Sequence, residues 1–348
     1  MTPEQLLNIA NNRSLIVVVA DGMHEPPLDV LGGRTPWQAA DCECMDAMMH
    51  DSISLVPDGL EPNTDVALLT LLGYDAGECA NCRAPFEALG LGIEVDKDDM
   101  VLRCNLVSMH NGMITSHCGE GLTGEQAMVV VDLLNGRFGC DNLHFYNGNG
   151  FRALLKVKGM TDLPSSVPPH NILNQPYQSH MIDNATLARI NVEAIALLST
   201  LGFPANGIWL WGAGRAGSFA PFAYNGASIS GTQLVRGISR AVGMDVIDVD
   251  GADGTFTTNL RGKCDAAISA IGNHQFVLVH VEACDEASHS LDVKGKIDMI
   301  KRIDTELVAP LREYASGHDV ALVITSDHGT SSIIGKHLAG KVPCYVQI

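Results

Sequence analysis

Three short apolar runs of this 348-residue chain are each followed by side chains that bind divalent metal ions. The runs cover residues 15–20, 276–281 and 321–325, and the side chains after them are Asp21, then Asp285 with His289, then Asp327 with His328. Carboxylates combined with imidazoles suit Zn²⁺ or Mn²⁺. Two such ions about 3.5–4 Å apart can hold the attacking and leaving oxygens of a phosphoryl transfer. The pattern therefore indicates a dimetal site.

The candidate ligands fall into two groups of three. Asp285 and His289 are four residues apart, so a helix that starts after the second run would place them on one face. His337 follows in a loop-like segment and completes this group. The second group consists of Asp21, Asp327 and His328. A single Asp at a strand end is more often a cap or turn residue, so the interpretation depends on all six occurring together.

Thr64 is the candidate nucleophile. It follows Pro62-Asn63 and starts a helical pattern, so its hydroxyl would lie at a helix N-terminus, where free N–H groups and the helix dipole favour an anion such as a phosphoryl group. A nearby cation would activate this hydroxyl, and its oxygen could also complete the metal group of Asp21. The alternative is that Thr64 is an ordinary N-cap.

The elements that carry these residues must be strands whose ends converge at one edge of one sheet. Runs rich in Val and Ile are typical of buried parallel strands, and ligands of open α/β sheets bind beyond the carboxyl ends of such strands. Strands alternate with helices in the second half of the chain, starting with a strand at residues 208–211. The pattern predicts an α/β fold with a doubly wound, mostly parallel sheet. It also predicts a helix over residues 35–49, with Thr35 as N-cap.

We expect two domains. Residues 98–168 consist of short strand-like pieces around one helix and form a smaller inserted α+β domain. Residues 1–97 and 169–348 form the metal-binding core. The domain boundary is set by the change of pattern at residue 98 and by the proline-containing linker 164–169.

Composition limits the partners and the compartment. The formal net charge of −18 argues against nucleic acid or a membrane surface as the main partner. Ten cysteines at irregular spacings, a polar N-terminal segment and apolar runs of only strand length indicate a reduced, cytoplasmic protein. A homo-oligomer is compatible with this composition.

Longer stretches resemble the archaeal-type cofactor-independent phosphoglycerate mutases of the alkaline phosphatase superfamily. The matching stretches include Asp21-Gly22, Asn63-Thr64-Asp65, residues 83–90, residues 285–289, Asp327-His328 and His337. The resemblance implies an alkaline-phosphatase-like core and two Mn²⁺ or Zn²⁺ ions. It also implies a phosphoenzyme on Thr64, where the family usually has Ser, and transfer of phosphate between the 3- and 2-hydroxyls of glycerate.

The resemblance further implies side chains that hold the phosphate or carboxylate of a small phosphorylated metabolite. These candidates are Arg83, Asn105, Arg152, His170, Arg215 and Lys263. Arginine suits this role because its planar guanidinium matches both anions, although an ordinary surface cation is the alternative for each basic residue. Two other functions stay open: a phosphatase or phosphotransferase on another metabolite, and a non-catalytic relative that keeps the fold.

Overall fold

The computed structural model describes residues 1–79, 81–148 and 150–348, without the side chain of Cys79. The chain forms two compact units, one of Met1–Cys79 with Phe219–Ile348 and one of Ala80–Ser218. The inserted domain expected at residues 98–168 lies within the second unit, which is wider at both ends. None of the helices among the described residues has the length and hydropathy needed to cross a bilayer.

The strands are distributed over both units. They are β1 (Ser14–Ala20), β2 (Met49–Ile53), β3 (Asp99–His110), β4 (Met113–Ser116), β5 (Leu143–Asn147), β6 (Arg152–Lys158), β7 (Gly207–Arg215), β8 (Gly226–Ile229), β9 (Asp245–Ile247), β10 (Phe276–Val281), β11 (Val320–Thr325), β12 (Gly329–Ser331), β13 (Lys336–Leu338) and β14 (Val342–Gln347).

Helices also occur in both units. They are α1 (Pro3–Leu7), α2 (Pro36–Ala40), α3 (Glu43–Asp46), α4 (Thr64–Leu71), α5 (Arg83–Gly90), α6 (Gly124–Phe138), α7 (Ala185–Leu198), α8 (Gln233–Ala241), α9 (Leu260–Ile271), α10 (Ala283–His289), α11 (Val293–Arg302) and α12 (Ala309–Ser316). A π-helical segment, Ile303–Val308, joins α11 to α12.

The first unit contains a seven-stranded sheet in the order β2-β14-β11-β1-β10-β8-β9. The five strands from β11 to β9 are parallel, and β14 pairs antiparallel with both β11 and β2. The predicted α/β fold with a mostly parallel sheet is therefore confirmed. β12 and β13 form a separate antiparallel hairpin.

The three apolar runs form adjacent strands at the centre of this sheet. All residues of β10 and β11 are buried, as is β1 after its first residue, which explains why these sequences show no polar alternation. β1 pairs in parallel with β10 on one side and β11 on the other, with Ala20 opposite Val281 and Val19 opposite Thr325. The carboxyl ends of the three strands are therefore level at one edge of the sheet, as predicted.

The helix predicted over residues 35–49 is wrong in its length. Thr35 does cap α2, in a capping box with Gln38, but the helix ends at Ala40 and Asp41 takes a left-handed conformation with φ 56°. A second short helix, α3, follows, and Met49 already begins edge strand β2. The left-handed residue breaks the helical path although the hydrophobic periodicity continues through it.

The second unit contains an antiparallel sheet built on the long strand β3. β6 pairs with one edge of β3, and β7 with the other; β4 pairs with its end and β5 with β6. The strand at Ile208–Trp211 was expected in the parallel core, but it lies in this second sheet. Residues 212–215 continue it as part of β7.

Candidate functional site

The first candidate metal group lies at the carboxyl end of β10. α10 begins directly after this strand and places Asp285 beside His289, with His289 Nε2 3.0 Å from Asp285 Oδ2. The β12–β13 hairpin brings in His337, whose Nε2 lies 3.1 Å from His289 Nε2 and 3.6 Å from Asp285 Oδ1. The three residues offer donor atoms within 4.8 Å of one another. The structure thus brings together the group proposed from sequence.

Main-chain carbonyls orient the two imidazoles of this group. His289 Nδ1 lies 2.9 Å from Gly335 O, and His337 Nδ1 lies 2.6 Å from Pro62 O. A ring that donates Nδ1–H to a carbonyl keeps its Nε2 lone pair for a metal. The hydrogen bond to Asp285 raises the pKa of His289 to about 9. Burial alone would raise the pKa of Asp285, but hydrogen bonds from the two imidazoles outweigh burial and hold it well below its usual range.

The second group lies beyond the ends of β1 and β11. Asp21, Asp327 and His328 are almost fully buried, and their donor atoms also lie within 4.8 Å of one another. His328 Nε2 is 3.2 Å from Asp327 Oδ2 and 3.6 Å from Asp21 Oδ1. Despite these short distances, neither Asp21 Oδ1 nor Asp327 Oδ2 accepts a hydrogen bond from any described residue.

Whether these residues fit a cation can be judged from the unpartnered carboxylate oxygens. A buried carboxylate without a partner is costly, and the cost is relieved by a metal ion. Burial raises the pKa of Asp21 well above its usual value, and the nearby charges of Asp327, Asp285 and Glu282 raise it further. Partnerless carboxylate oxygens next to inward-facing imidazoles therefore fit divalent metal ions.

Gly22 lets the two groups approach each other. Its φ is +63°, and a Cβ at this position would lie 2.6 Å from Asp285 Oδ1 and 2.7 Å from Thr330 Oγ1. Its N–H donates to Asp327 Oδ1 at 3.1 Å. A side chain here would therefore strain the backbone and displace Asp285 of the first group together with Thr330.

Thr64 lies at the start of α4 with its hydroxyl turned toward the second group. Its Oγ1 is 3.4 Å from Asp21 Oδ2, to which it donates, and 3.5 Å from His328 Nε2. The N-cap of the helix is Asn63, so Thr64 is the first helical residue. The simple N-cap alternative is therefore not what the structure shows, and the hydroxyl is left facing the candidate ligands.

Two polar residues next to the ligands were missed in the sequence interpretation. His280 is 1% exposed within β10, and its Nε2 lies 3.3 Å from Asp21 Oδ2. Burial lowers the pKa of His280 to about 4. Thr330 is fully buried and donates its hydroxyl to Asp285 Oδ1 at 2.6 Å. A histidine inside an otherwise apolar strand was the available signal for His280, whereas nothing in the sequence distinguished Thr330.

One face of the sheet in the second unit gathers three of the predicted substrate residues. Asn105 of β3 and Arg152 of β6 are directly paired positions and therefore share a face. Trp211 Nε1 donates to Asn105 Oδ1 at 2.9 Å, and the Asn105 amide donates to His117 O at 2.9 Å. The His170 ring lies edge-on to the Trp211 ring, with the ring centres 6.0 Å apart.

Arg103 lies on this same face and was not predicted. Its guanidinium donates to both carboxylate oxygens of Glu87, at 2.9 and 2.5 Å, and lies 4.5 Å from the ring centre of Trp211. Glu87 therefore fixes the orientation of Arg103 over the indole. The position of this arginine, two residues before Asn105 in a strand, was the only signal in the sequence.

The other three predicted substrate residues have different surroundings. Arg83 lies 3.6 Å from Glu87 on α5, and Arg215 donates to the carbonyl of Met160. Lys263 belongs to the first unit, is fully buried and donates to His280 O at 2.9 Å. Burial lowers the pKa of Lys263 to about 8. Substrate binding by these residues stays a prediction.

Comparison with known proteins finds a family model and relatives that carry the same description. The family model described as 2,3-bisphosphoglycerate-independent phosphoglycerate mutase matches residues 52–199. A protein of this name from Methanosarcina barkeri is 34% identical, over 94% of this chain and 88% of its own length. Another from Methanothrix thermoacetophila is also 34% identical, over 94% of this chain and 89% of its own.

Solved structures show the same fold. A protein from Pyrococcus horikoshii superposes with a TM-score of 0.78 at 25% identity, covering 96% of this chain and 87% of its own. The cofactor-independent phosphoglycerate mutase from Thermoplasma acidophilum gives a TM-score of 0.64 at 23% identity, covering 96% of this chain and 89% of its own.

Proposed function

The chain belongs to the 2,3-bisphosphoglycerate-independent phosphoglycerate mutase family, and we propose that it interconverts 3-phosphoglycerate and 2-phosphoglycerate. The relatives of that name match 94% of the chain, so the likeness extends over both units. The observation that carries the proposal is the Thr64 hydroxyl, which starts a helix 3.4 Å from Asp21 and 3.5 Å from His328.

Thr64 is proposed to accept the phosphoryl group. Its hydroxyl donates to Asp21 Oδ2, which leaves a lone pair of Oγ1 free for phosphorus. The N–H groups of the first turn of α4 and the helix dipole favour the negative charge of a phosphoryl group at this position. Thr64 thus combines a nucleophile with an anion-binding helix end.

The two ligand groups are proposed to hold two divalent cations. Asp285, His289 and His337 would bind one, and Asp21, Asp327 and His328 the other, with the Thr64 oxygen completing the second set. Bound there, the cations would lower the pKa of the Thr64 hydroxyl and neutralise charge on the phosphoryl oxygens. The mixture of carboxylates and imidazoles suits Mn²⁺ or Zn²⁺.

The reaction moves one phosphoryl group between two oxygens of the same glycerate. In the first step the bond from Thr64 Oγ1 to phosphorus forms, the bond from phosphorus to the 3-oxygen breaks, and the 3-oxygen takes up a proton in exchange for the proton that Thr64 loses. The second step makes the opposite changes with the 2-oxygen as nucleophile. Atoms balance without water, so glycerate must stay bound between the two steps.

The polar face of the second unit is proposed to hold the substrate anion. Arg152 and Asn105 offer donors from paired strand positions, and Arg103 is held over Trp211 by Glu87. Arginine recognises carboxylate and phosphate through its planar donors, so this face suits a small anionic ligand. The proposed substrate is a small phosphorylated metabolite. We also propose that the enzyme acts in the cytoplasm.

The test is a mutase assay on matched Thr64 variants. The protein with Mn²⁺ or Zn²⁺ should convert 3-phosphoglycerate in an assay coupled to enolase, and Thr64→Ser should retain this activity. Thr64→Ala should lose at least about 10³-fold in kcat because the nucleophile is removed. It should still bind metal through the six carboxylate and imidazole side chains, although the second set loses one oxygen. Mutase activity in Thr64→Ala, or hydrolysis of substrate without isomerisation in the unaltered protein, would contradict the proposal.

A further inference from the structure

His280 is a buried imidazole that faces the second metal group without belonging to either set of ligands. It lies opposite Val19 in the pairing of β10 with β1, so it shares a sheet face with Asp21, two residues beyond Val19. Its Nε2 lies 3.3 Å from Asp21 Oδ2 and has no hydrogen-bond partner among the described residues. A ring nitrogen buried to this extent is expected to have a partner.

The other ring nitrogen of His280 indicates which nitrogen carries the proton. Nδ1 lies 3.4 Å from Ser230 Oγ, which itself accepts the main-chain N–H of Thr232 at 3.1 Å. The Thr232 hydroxyl lies 3.2 Å from the same oxygen and can donate to it, so the Ser230 hydroxyl proton is available for Nδ1. A neutral ring that accepts at Nδ1 carries its hydrogen on Nε2, on the side of Asp21.

We propose that His280 is a positioning residue: when Asp21 holds a cation, the ring donates Nε2–H across the present 3.3 Å separation to Asp21 Oδ2 and so turns the unpartnered Asp21 Oδ1 toward the cation. Thr64 donates to the same Oδ2, so both donors lie on one side of the carboxylate and the other oxygen has none. A Thr232 hydroxyl that donates to Ser230, and a Ser230 hydroxyl that donates to Nδ1, would favour the tautomer that this role requires. Partners of this kind, one step behind a metal ligand, set its orientation and basicity. The inference rests on the cation site of the proposed function.

The test measures metal affinity rather than activity. Asp285→Asn removes a ligand of the first group, so Mn²⁺ titration of this variant by calorimetry reports the Asp21 group. In this background His280→Leu should weaken Mn²⁺ binding by about 10–100-fold. His280→Gln should stay within a few-fold of the parent, since its amide can donate close to the position of Nε2. Ser230→Ala should give a smaller loss because only the tautomer is released.

The outcomes separate this inference from the proposed function. If the unaltered protein binds two Mn²⁺ ions but His280→Leu binds like its parent, the positioning role is wrong and the dimetal site stands. Equal losses in His280→Leu and His280→Gln would show that the ring only fills space, which also overturns the inference. If the unaltered protein binds no Mn²⁺ or Zn²⁺, the metal site and the inference fall together. Should His280→Leu fail to fold, the Mn²⁺ affinities of His280→Gln and Ser230→Ala decide the question. An unchanged Mn²⁺ affinity in Ser230→Ala would then contradict the positioning role of His280.

Discussion

The hydroxyl of Thr330 donates to Asp285 Oδ1 at 2.6 Å, and the same oxygen of Thr330 lies 3.3 Å from His328 Nδ1. One buried side chain therefore contacts a candidate ligand of each group. The main-chain carbonyl of Thr330 accepts from Lys296 Nζ at 2.6 Å, which ties β12 to the helix α11. The relative placement of the two groups thus depends on a residue outside both candidate ligand sets.

Replacing Thr330 by Val should weaken metal binding without changing the packing. Valine has nearly the same shape but cannot donate to Asp285, so the carboxylate loses a bond that orients it. We expect about a 10-fold loss of Mn²⁺ affinity in the first group, measured by calorimetry. Thr330→Ser is the matched control and should bind as the unaltered protein does. Equal affinity of the Val and Ser variants would refute an orienting role of the hydroxyl.

The buried ion pair of Glu25 and Lys296 should be costly to break from one side. Lys296 Nζ lies 3.1 Å from Glu25 Oε2, neither side chain is more than 1% exposed, and Glu25 also accepts from the N–H and hydroxyl of Ser332. Glu25→Gln should lower the free energy of unfolding by about 3–5 kcal/mol, because the Lys296 charge loses its partner. Urea denaturation measures this loss.

The control for this pair is the double variant Glu25→Leu with Lys296→Met. It removes both charges and leaves neither one buried alone, so its loss should be smaller than that of Glu25→Gln. A double variant that is less stable than the single one would show that the hydrogen bonds to Ser332 and Thr330 matter more than the charge pair.

Lys263 should make stability depend on pH above neutrality. Burial lowers its pKa to about 8 from 10.5, so below pH 8 the lysine is protonated in both states and folding carries the cost of burying its charge. Between pH 8 and 10.5 the folded state releases the proton and the unfolded state keeps it, so the free energy of unfolding rises with pH. Lys263→Met should lack this rise, which is on the order of 3 kcal/mol over the full window.

The measurement for Lys263 is a comparison of urea denaturation at several pH values from 7 to 10, at one cation concentration. The difference between the two proteins cancels the titration of other groups. If the two proteins show the same pH dependence, Lys263 holds an ordinary pKa in the folded state and the prediction is wrong.

Arg152 should act on substrate binding more than on the chemical step. Arg152→Gln removes a guanidinium opposite Asn105 on the polar face, and we expect KM for 3-phosphoglycerate to rise about 10-fold with a smaller change in kcat. Arg189→Gln is the matched control, because Arg189 is an exposed arginine on α7 of the same unit. A larger rise in KM in Arg189→Gln than in Arg152→Gln would contradict an anion site on this face.

Most of the parallel core and all six candidate ligands could be predicted from the sequence. Fully buried parallel strands need unbroken Val- and Ile-rich runs, and a ligand at a strand end must follow such a run directly, so both features are local. Asp21, Asp327 and Asp285 were found in this way. The helix over residues 35–49 failed because hydrophobic periodicity does not report a single left-handed residue such as Asp41.

The order of the strands was decided by tertiary structure alone. Whether β7 joins the parallel core or pairs with β3 depends on contacts between residues about a hundred positions apart, and an apolar strand is compatible with either neighbour. Long-range packing also makes His280 and Thr330 functional candidates. His280 approaches Asp21 because β10 pairs with β1, and Thr330 approaches Asp285 because β12 packs beside α10. The sequence thus determined which residues are the candidate metal ligands, and the packing of distant strands decided which buried side chains lie next to them.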